Sequence, residues 1–154
     1  MTTAQQDAER AEELAALREA VHDLIEGSGG IAPARRRLDT VLGATGPGDT
    51  QPGDTDAGPG YDEQAWRLLG SEMGLAGLGI AEDLGGVGGG LAELTVVAEE
   101  LGSSLLPVPF FSSTVLAGQI LARCPGTEPD VLARLCAGDE LAAFAGTEDR
   151  KSVV

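Results

Sequence analysis

Aromatic side chains are scarce in this sequence: one Trp, one Tyr and three Phe, 3% of 154 residues. A core with so few rings must be filled by aliphatic groups, and the apolar 42% is mostly Ala, Leu and Val. That mixture suits closely packed helices. Bases are short as well, 10 against 25 acids, for a net charge of −15. A field of that sign repels nucleic acid and anionic membrane surfaces, so neither is expected as a partner. It also disfavours an anionic ligand unless a local cation or a helix N-terminus receives it. Two cysteines, Cys124 and Cys136, and one histidine, His22, make no CxxC and no ligand cluster, which argues against zinc or any other metal site. The two thiols are expected to be free and half-buried on neighbouring helices, and His22 to be solvated. No run approaches the ~18 apolar residues of a membrane span. The N-terminal MTTAQQDAERAEEL lacks the apolar segment of a signal peptide, so a cytoplasmic location is expected.

What is present is helical periodicity broken by glycine. Leu14, Leu17, Val21 and Leu24 recur at spacings of three and four, which predicts a helix over about 8–26. Gly27-Ser28-Gly29-Gly30 ends it. A short helix is expected from Pro33 through Arg35-Arg36-Arg37 to about Leu42, its arginines paired with carboxylates. Residues 43–60, GATGPGDTQPGDTDAGPG, carry no large apolar side chain and are expected to form a flexible insertion. Asp62 reads as the N-cap of a helix carrying Trp66, Leu69 and Met73 to a stop at Gly74. Leu94, Val97, Ala98 and Leu101 mark a further helix ended by Gly102. Leu106-Pro107-Val108-Pro109 is extended. A helix from Ser112 or Ser113 carries Val115, Leu116 and Ile120. Thr127 and Asp130 begin another in capping-box spacing, with Leu132, Leu135 and Cys136 inward and Gly138 as the stop. Leu141–Ala145 reads as a strand.

Between two of these helices lies GLAGLGIAEDLGGVGGG, residues 74–90. No register supplies the dinucleotide fingerprint. The phosphate-loop signature needs a lysine, and the first lysine in the chain is Lys151. The adjacent Glu82 and Asp83 point different ways in a loop, a poor arrangement for paired acid–base work. The expectation is a chain reversal in which backbone passes close to a neighbour.

The order of these pieces resembles a family. Trp66-Arg67-Leu68-Leu69, Met73-Gly74-Leu75-Ala76-Gly77-Leu78, Ile80-Ala81-Glu82-Asp83-Leu84-Gly85-Gly86-Val87-Gly88 and Glu99-Glu100-Leu101-Gly102 look like the N-terminal helical domain of acyl-CoA dehydrogenases. The family's loop is typically P-E-x-x-G-G-x-G, followed by a helix ending E-E-L-G. Ala81 stands where proline is usual, and the 43–60 insertion is a departure. The resemblance covers about residues 10–149. It implies an all-α fold: an up-and-down helical domain of five or six helices over residues 1–139. A C-terminal strand in 140–154 would then begin a central β-domain that is truncated here.

The resemblance also implies a flavoprotein oxidoreductase. Desaturating an acyl thioester needs a base for the α-proton and an FAD flavin to accept the β-hydride, with the substrate held between them. No residue in this sequence matches the family's catalytic base, so the chain alone is expected to be inactive. What the matching positions imply is a substrate channel walled by Pro109, Phe110, Ser113 and Ala117; plain core packing is the competing role for these residues. Phe144, Gly146 and Thr147 match the strand end that meets the flavin, which makes an incomplete FAD site. The implied partners are an acyl-CoA substrate, a homologous dehydrogenase subunit or a second copy, and an electron-transfer acceptor protein. The alternatives are a non-catalytic helical subunit or binding module that associates with a dehydrogenase, and an unrelated acidic helical domain.

Overall fold

The fold comes from a computed structural model that describes residues 3–30 and 60–145. The expected Pro33–Leu42 helix with its three arginines lies outside them. So do residues 43–59 of the insertion, Gly146 and Thr147. Five helices make up the described part, and it contains no strand.

Helix α1, Thr3–Gly27, runs long and mostly exposed. It buries Val21 and Ile25, with Leu17 and Leu24 packed alongside. Glycines with positive φ at 29 and 30 stop it, as expected. Helix α2 begins at Glu63–Trp66 and widens into a π turn at Arg67–Glu72. Asp62 caps it: the Asp62 carboxylate accepts the Ala65 N–H at 3.0 Å. Gly74, at φ 73°, ends it.

Helix α3, Leu91–Ser104, packs along α1 and presents Leu94, Val97 and Leu101 to the core. It does not stop at Gly102. It runs on to Leu105, which takes the left-handed conformation at φ 52° and closes the helix with bonds to the Gly102 and Leu101 carbonyls. At its other end the Glu93 carboxylate accepts the Gly90 N–H at 2.7 Å. This is half of a capping box, since glycine has no side chain to return the bond.

Helix α4 starts earlier than its residue types suggest. Phe110–Gly118 is a π-helix that becomes a regular turn at Gln119–Leu121. Helix α5, Pro129–Cys136, has proline in its first turn and buries Leu132, Leu135 and Cys136. Thr127 is not its cap; the Thr127 hydroxyl donates back to the carbonyls of Leu121 at 2.8 Å and Cys124 at 3.2 Å.

The core falls into two clusters. The larger joins Val21 and Ile25 to Trp66, Leu69, Leu94, Val97, Leu101 and Phe110. The smaller holds Ile80, Leu132, Leu135 and Cys136. The glycine-rich loop ties them together, because Leu75, Ala76 and Leu78 enter the first and Ile80 the second.

The expected strand at 141–145 is a correction. The segment has no ladder partner among the described residues. A strand exists only through pairing. Here the Ala142 N–H goes instead to the Ser113 hydroxyl, at 3.1 Å.

Candidate functional site

The loop at 74–90 is a chain reversal held by its own backbone. Gly79 N–H donates to Gly88 C=O at 2.7 Å, Gly88 N–H to Ile80 C=O at 2.8 Å, and Val87 N–H to Gly77 C=O at 3.1 Å. Two short 3-10 turns, Leu75–Gly77 and Glu82–Leu84, flank the crossing. At Gly86 the two segments pass so close that a Cβ would lie 2.1 Å from the Ile80 carbonyl oxygen. Nine backbone N–H groups of the loop, those of residues 77–80 and 84–88, bond to carbonyls within it, as a reversal requires and a phosphate cradle would not allow. Glu82 and Asp83 are exposed.

Helix α4 clamps this loop. The buried Thr114 hydroxyl donates to Ala76 C=O at 3.3 Å, and the Gln119 amide donates to Leu78 C=O at 3.2 Å. Between loop, α3 and α4 lies an open groove of about 670 Å³. Its walls are aliphatic: Leu91 and Leu94 from α3, Val115, Leu116 and Ile120 from α4. Gly79, Gly89 and Gly90 form its floor on the loop side. Gln119, Arg123 and Cys124 make one polar end. The groove lies within the size range of small-molecule sites. None of the described residues that line it is a carboxylate, so it offers no base for proton removal.

The channel residues expected from the sequence sit elsewhere on α4. Phe110, Ser113 and Ala117 are buried, and Pro109 is half-buried at the start of the helix. Ser113 anchors the 140s segment through Ala142. Phe110 packs in the main core, and it also lines a smaller apolar cleft of about 310 Å³ beside Leu105 and Phe111. The stripe of Val115, Leu116 and Ile120 faces the groove. Counted from Phe110, the small residues Ser113, Thr114, Ala117 and Gly118 fall on the same inward face at helical spacing.

Of the residues implied for flavin contact, Phe144 lies among those described. Its ring is 60% exposed, and it lines neither the groove nor the cleft. Gly146 and Thr147 lie outside the described residues, so only Phe144 of the implied flavin contacts is placed.

Glu93 and Cys136, both outside the groove lining, have shifted pKa values, and Glu93 lies directly behind Gly90 of the floor. Glu93 is held below the usual carboxylate range by backbone N–H groups, its own and that of Gly90, with a smaller contribution from Arg10 at 2.8 Å. Burial pushes the Cys136 thiol up. Cys136 is buried and Cys124 exposed, so the two thiols are not alike. His22 is exposed, 3.3 Å from Glu100. Among the described residues no cluster of three metal-ligating side chains occurs, and no helix is long and apolar enough to cross a membrane.

Known proteins share this arrangement. The family model of the acyl-CoA dehydrogenase N-terminal domain matches residues 50–143, well over half of the chain. The chain belongs to the acyl-CoA dehydrogenase family. It is 37% identical over 118 residues to the acyl-CoA dehydrogenase IpdE2 of Mycolicibacterium smegmatis, covering 77% of this chain and 32% of that protein. Against IpdE2 of Mycobacterium tuberculosis the identity is 41% over 87 residues, 55% of this chain and 26% of that one. Among solved structures, the ChsE4-ChsE5 complex from Mycobacterium tuberculosis matches with a TM-score of 0.58 and 26% identity, over 93% of this chain and 32% of that one. A variant of the Tcur3481-Tcur3483 steroid ACAD matches with a TM-score of 0.61 and 25% identity, over 86% and 32%. The chain thus spans between a quarter and a third of the length of these acyl-CoA dehydrogenase relatives.

Proposed function

We propose that these 154 residues supply the helical wall of the acyl channel in an FAD-dependent acyl-CoA dehydrogenase, an oxidoreductase that desaturates acyl-CoA thioesters. The observation that carries this is the open aliphatic groove between the glycine-rich loop and α4. The outer face of α4 touches the acyl group, and the inner face with Phe110, Ser113 and Ala117 backs it. The flavin supplies the hydride acceptor when bound, and the residues that hold it and the base lie largely outside those described. What this segment does is exclude water from the acyl group and hold it in register.

The groove does not stand alone. Leu91, Leu116 and Ile120 on its rim are exposed, as are Leu84, Leu141 and Phe144. Apolar surface of this kind is normally covered, and two of the structural neighbours pair two named subunits. A homologous dehydrogenase subunit, or a second copy of this chain, is the proposed cover. The test is binding of decanoyl-CoA to the chain, compared with Ile120→Asp. Ile120 is 40% exposed, so the substitution spares the fold. Loss of binding in the variant supports the groove; equal binding overturns it. Turnover by the 154 residues with added flavin and an artificial electron acceptor would overturn the wall-only role.

A further inference from the structure

Among the described residues, three arginines meet carboxylates. Arg10 pairs with Glu93, Arg18 with Glu99 and Glu100, and Arg134 with Glu140. Arg123 is held differently. Its Nη1 donates to the backbone carbonyl and to the side-chain Oε1 of Gln119, both at 2.8 Å. Gln119 is itself fixed, since its Nε2 donates to Leu78 C=O in the glycine-rich loop. The guanidinium therefore has a set place, with no carboxylate against it among the described residues. That place is the polar end of the aliphatic groove, where Arg123 is the one charged side chain among the described lining residues.

Nη1 spends its bonds on neutral partners, and Nε and Nη2 have no hydrogen-bond acceptor among the described residues. An oxyanion is the ligand chemistry that satisfies both. Pre-ordering by Gln119 reduces the rotamer entropy lost when such a ligand arrives. In a chain of net charge −15, an unneutralised cation beside a hydrophobic groove selects for a molecule that is apolar along its length and anionic at one end.

We infer that Arg123, positioned by Gln119, is an oxyanion anchor at the end of the groove. The oxygen it receives is a carboxylate on the acyl group or a phosphate of the thioester carrier. This rests on the groove being the acyl site.

The test uses the isotope-labelled chain and follows its backbone amides during titration with three probes: decanoate, the neutral decanamide, and coenzyme A without an acyl group. The expected result is that an anionic probe moves the amides of Gly79, Gly89, Gln119 and Cys124 with roughly tenfold or greater preference over decanamide. In Arg123→Gln that preference disappears, while Arg123→Lys keeps part of it. Preference for decanoate assigns the oxygen to the acyl group, and preference for coenzyme A assigns it to the carrier. Decanoate and decanamide binding alike, with coenzyme A silent, overturns the anchor and leaves the groove reading intact. No probe shifting groove amides overturns the groove reading itself. Arg123 is exposed, and an unchanged amide spectrum in the variant shows that its fold is kept.

Discussion

Gly86→Ala tests whether the glycine-rich loop is a packed crossing or a slack connection. The new Cβ would sit 2.1 Å from the Ile80 carbonyl oxygen and 2.6 Å from its carbon. A relaxed carbon–oxygen contact needs about 3.3 Å, so the chains must part by roughly an ångström. Both neighbours are backbone, and neither can rotate away. The same Ile80 oxygen accepts Gly88 N–H at 2.8 Å, Gly79 N–H reaches Gly88 C=O at 2.7 Å, and Gly86 N–H reaches Ala81 C=O at 3.1 Å. Losing two or three such bonds, at about 1 kcal/mol each, predicts a loss of about 2–3 kcal/mol. The assay is urea unfolding followed by the fluorescence of Trp66, the sole tryptophan, which is buried. Gly102→Ala is the contrast. Gly102 lies inside α3 with nothing within 4 Å of its Cβ position, and it should gain about 1 kcal/mol from helix propensity alone. A Gly86→Ala chain within about 0.5 kcal/mol of the parent would refute the crossing, since a slack loop absorbs a methyl group without cost.

Three further outcomes follow from the same geometry. Leu105→Gly relieves a left-handed leucine at φ 52° that is 64% exposed; thermal unfolding should show a gain of about 1 kcal/mol. Phe110→Ala empties a site that is 2% exposed and should cost about 3–5 kcal/mol in the same urea experiment, far more than Phe111→Ala on the exposed side of the helix. For Glu93 the folded pKa is depressed. Its contribution is therefore fully present above the unfolded value of about 4.3 and is lost as pH falls through the lower folded value. Glu93→Ala should flatten the stability–pH profile below about pH 5, measured by urea midpoints across acid buffers.

Much of the fold was legible because its signals are local. Asp62 caps a helix through a residue three places away, and Gly74 and Gly138 stop helices by adopting positive φ, which glycine does without steric cost. The family was legible because the order of Trp66, the glycine-rich loop and Glu99–Gly102 spans several elements. The groove was not legible. It depends on residues 79–94 meeting 115–124, a contact between elements distant in sequence that no local pattern reports. The run of Ser113, Thr114, Ala117 and Gly118 was the available sign of an inward face built for close approach. The strand read at 141–145 failed for a different reason: a short apolar run gives a preference, and a ladder needs a second chain segment. Arg123 also had a usable sign, a Gln four residues earlier in place of the Glu that an acidic chain would normally offer.

The central claim is that acyl groups lie along the outer face of α4 against the glycine-rich loop. A photoreactive acyl-CoA with a diazirine on its acyl chain tests this most directly, with the labelled residues read by peptide mass spectrometry. The account predicts label on Leu91, Leu94, Leu116 and Ile120, the aliphatic lining of the groove. Label concentrated instead around Leu105, Val108 and Phe111, which line the smaller cleft, or along α1, would contradict it.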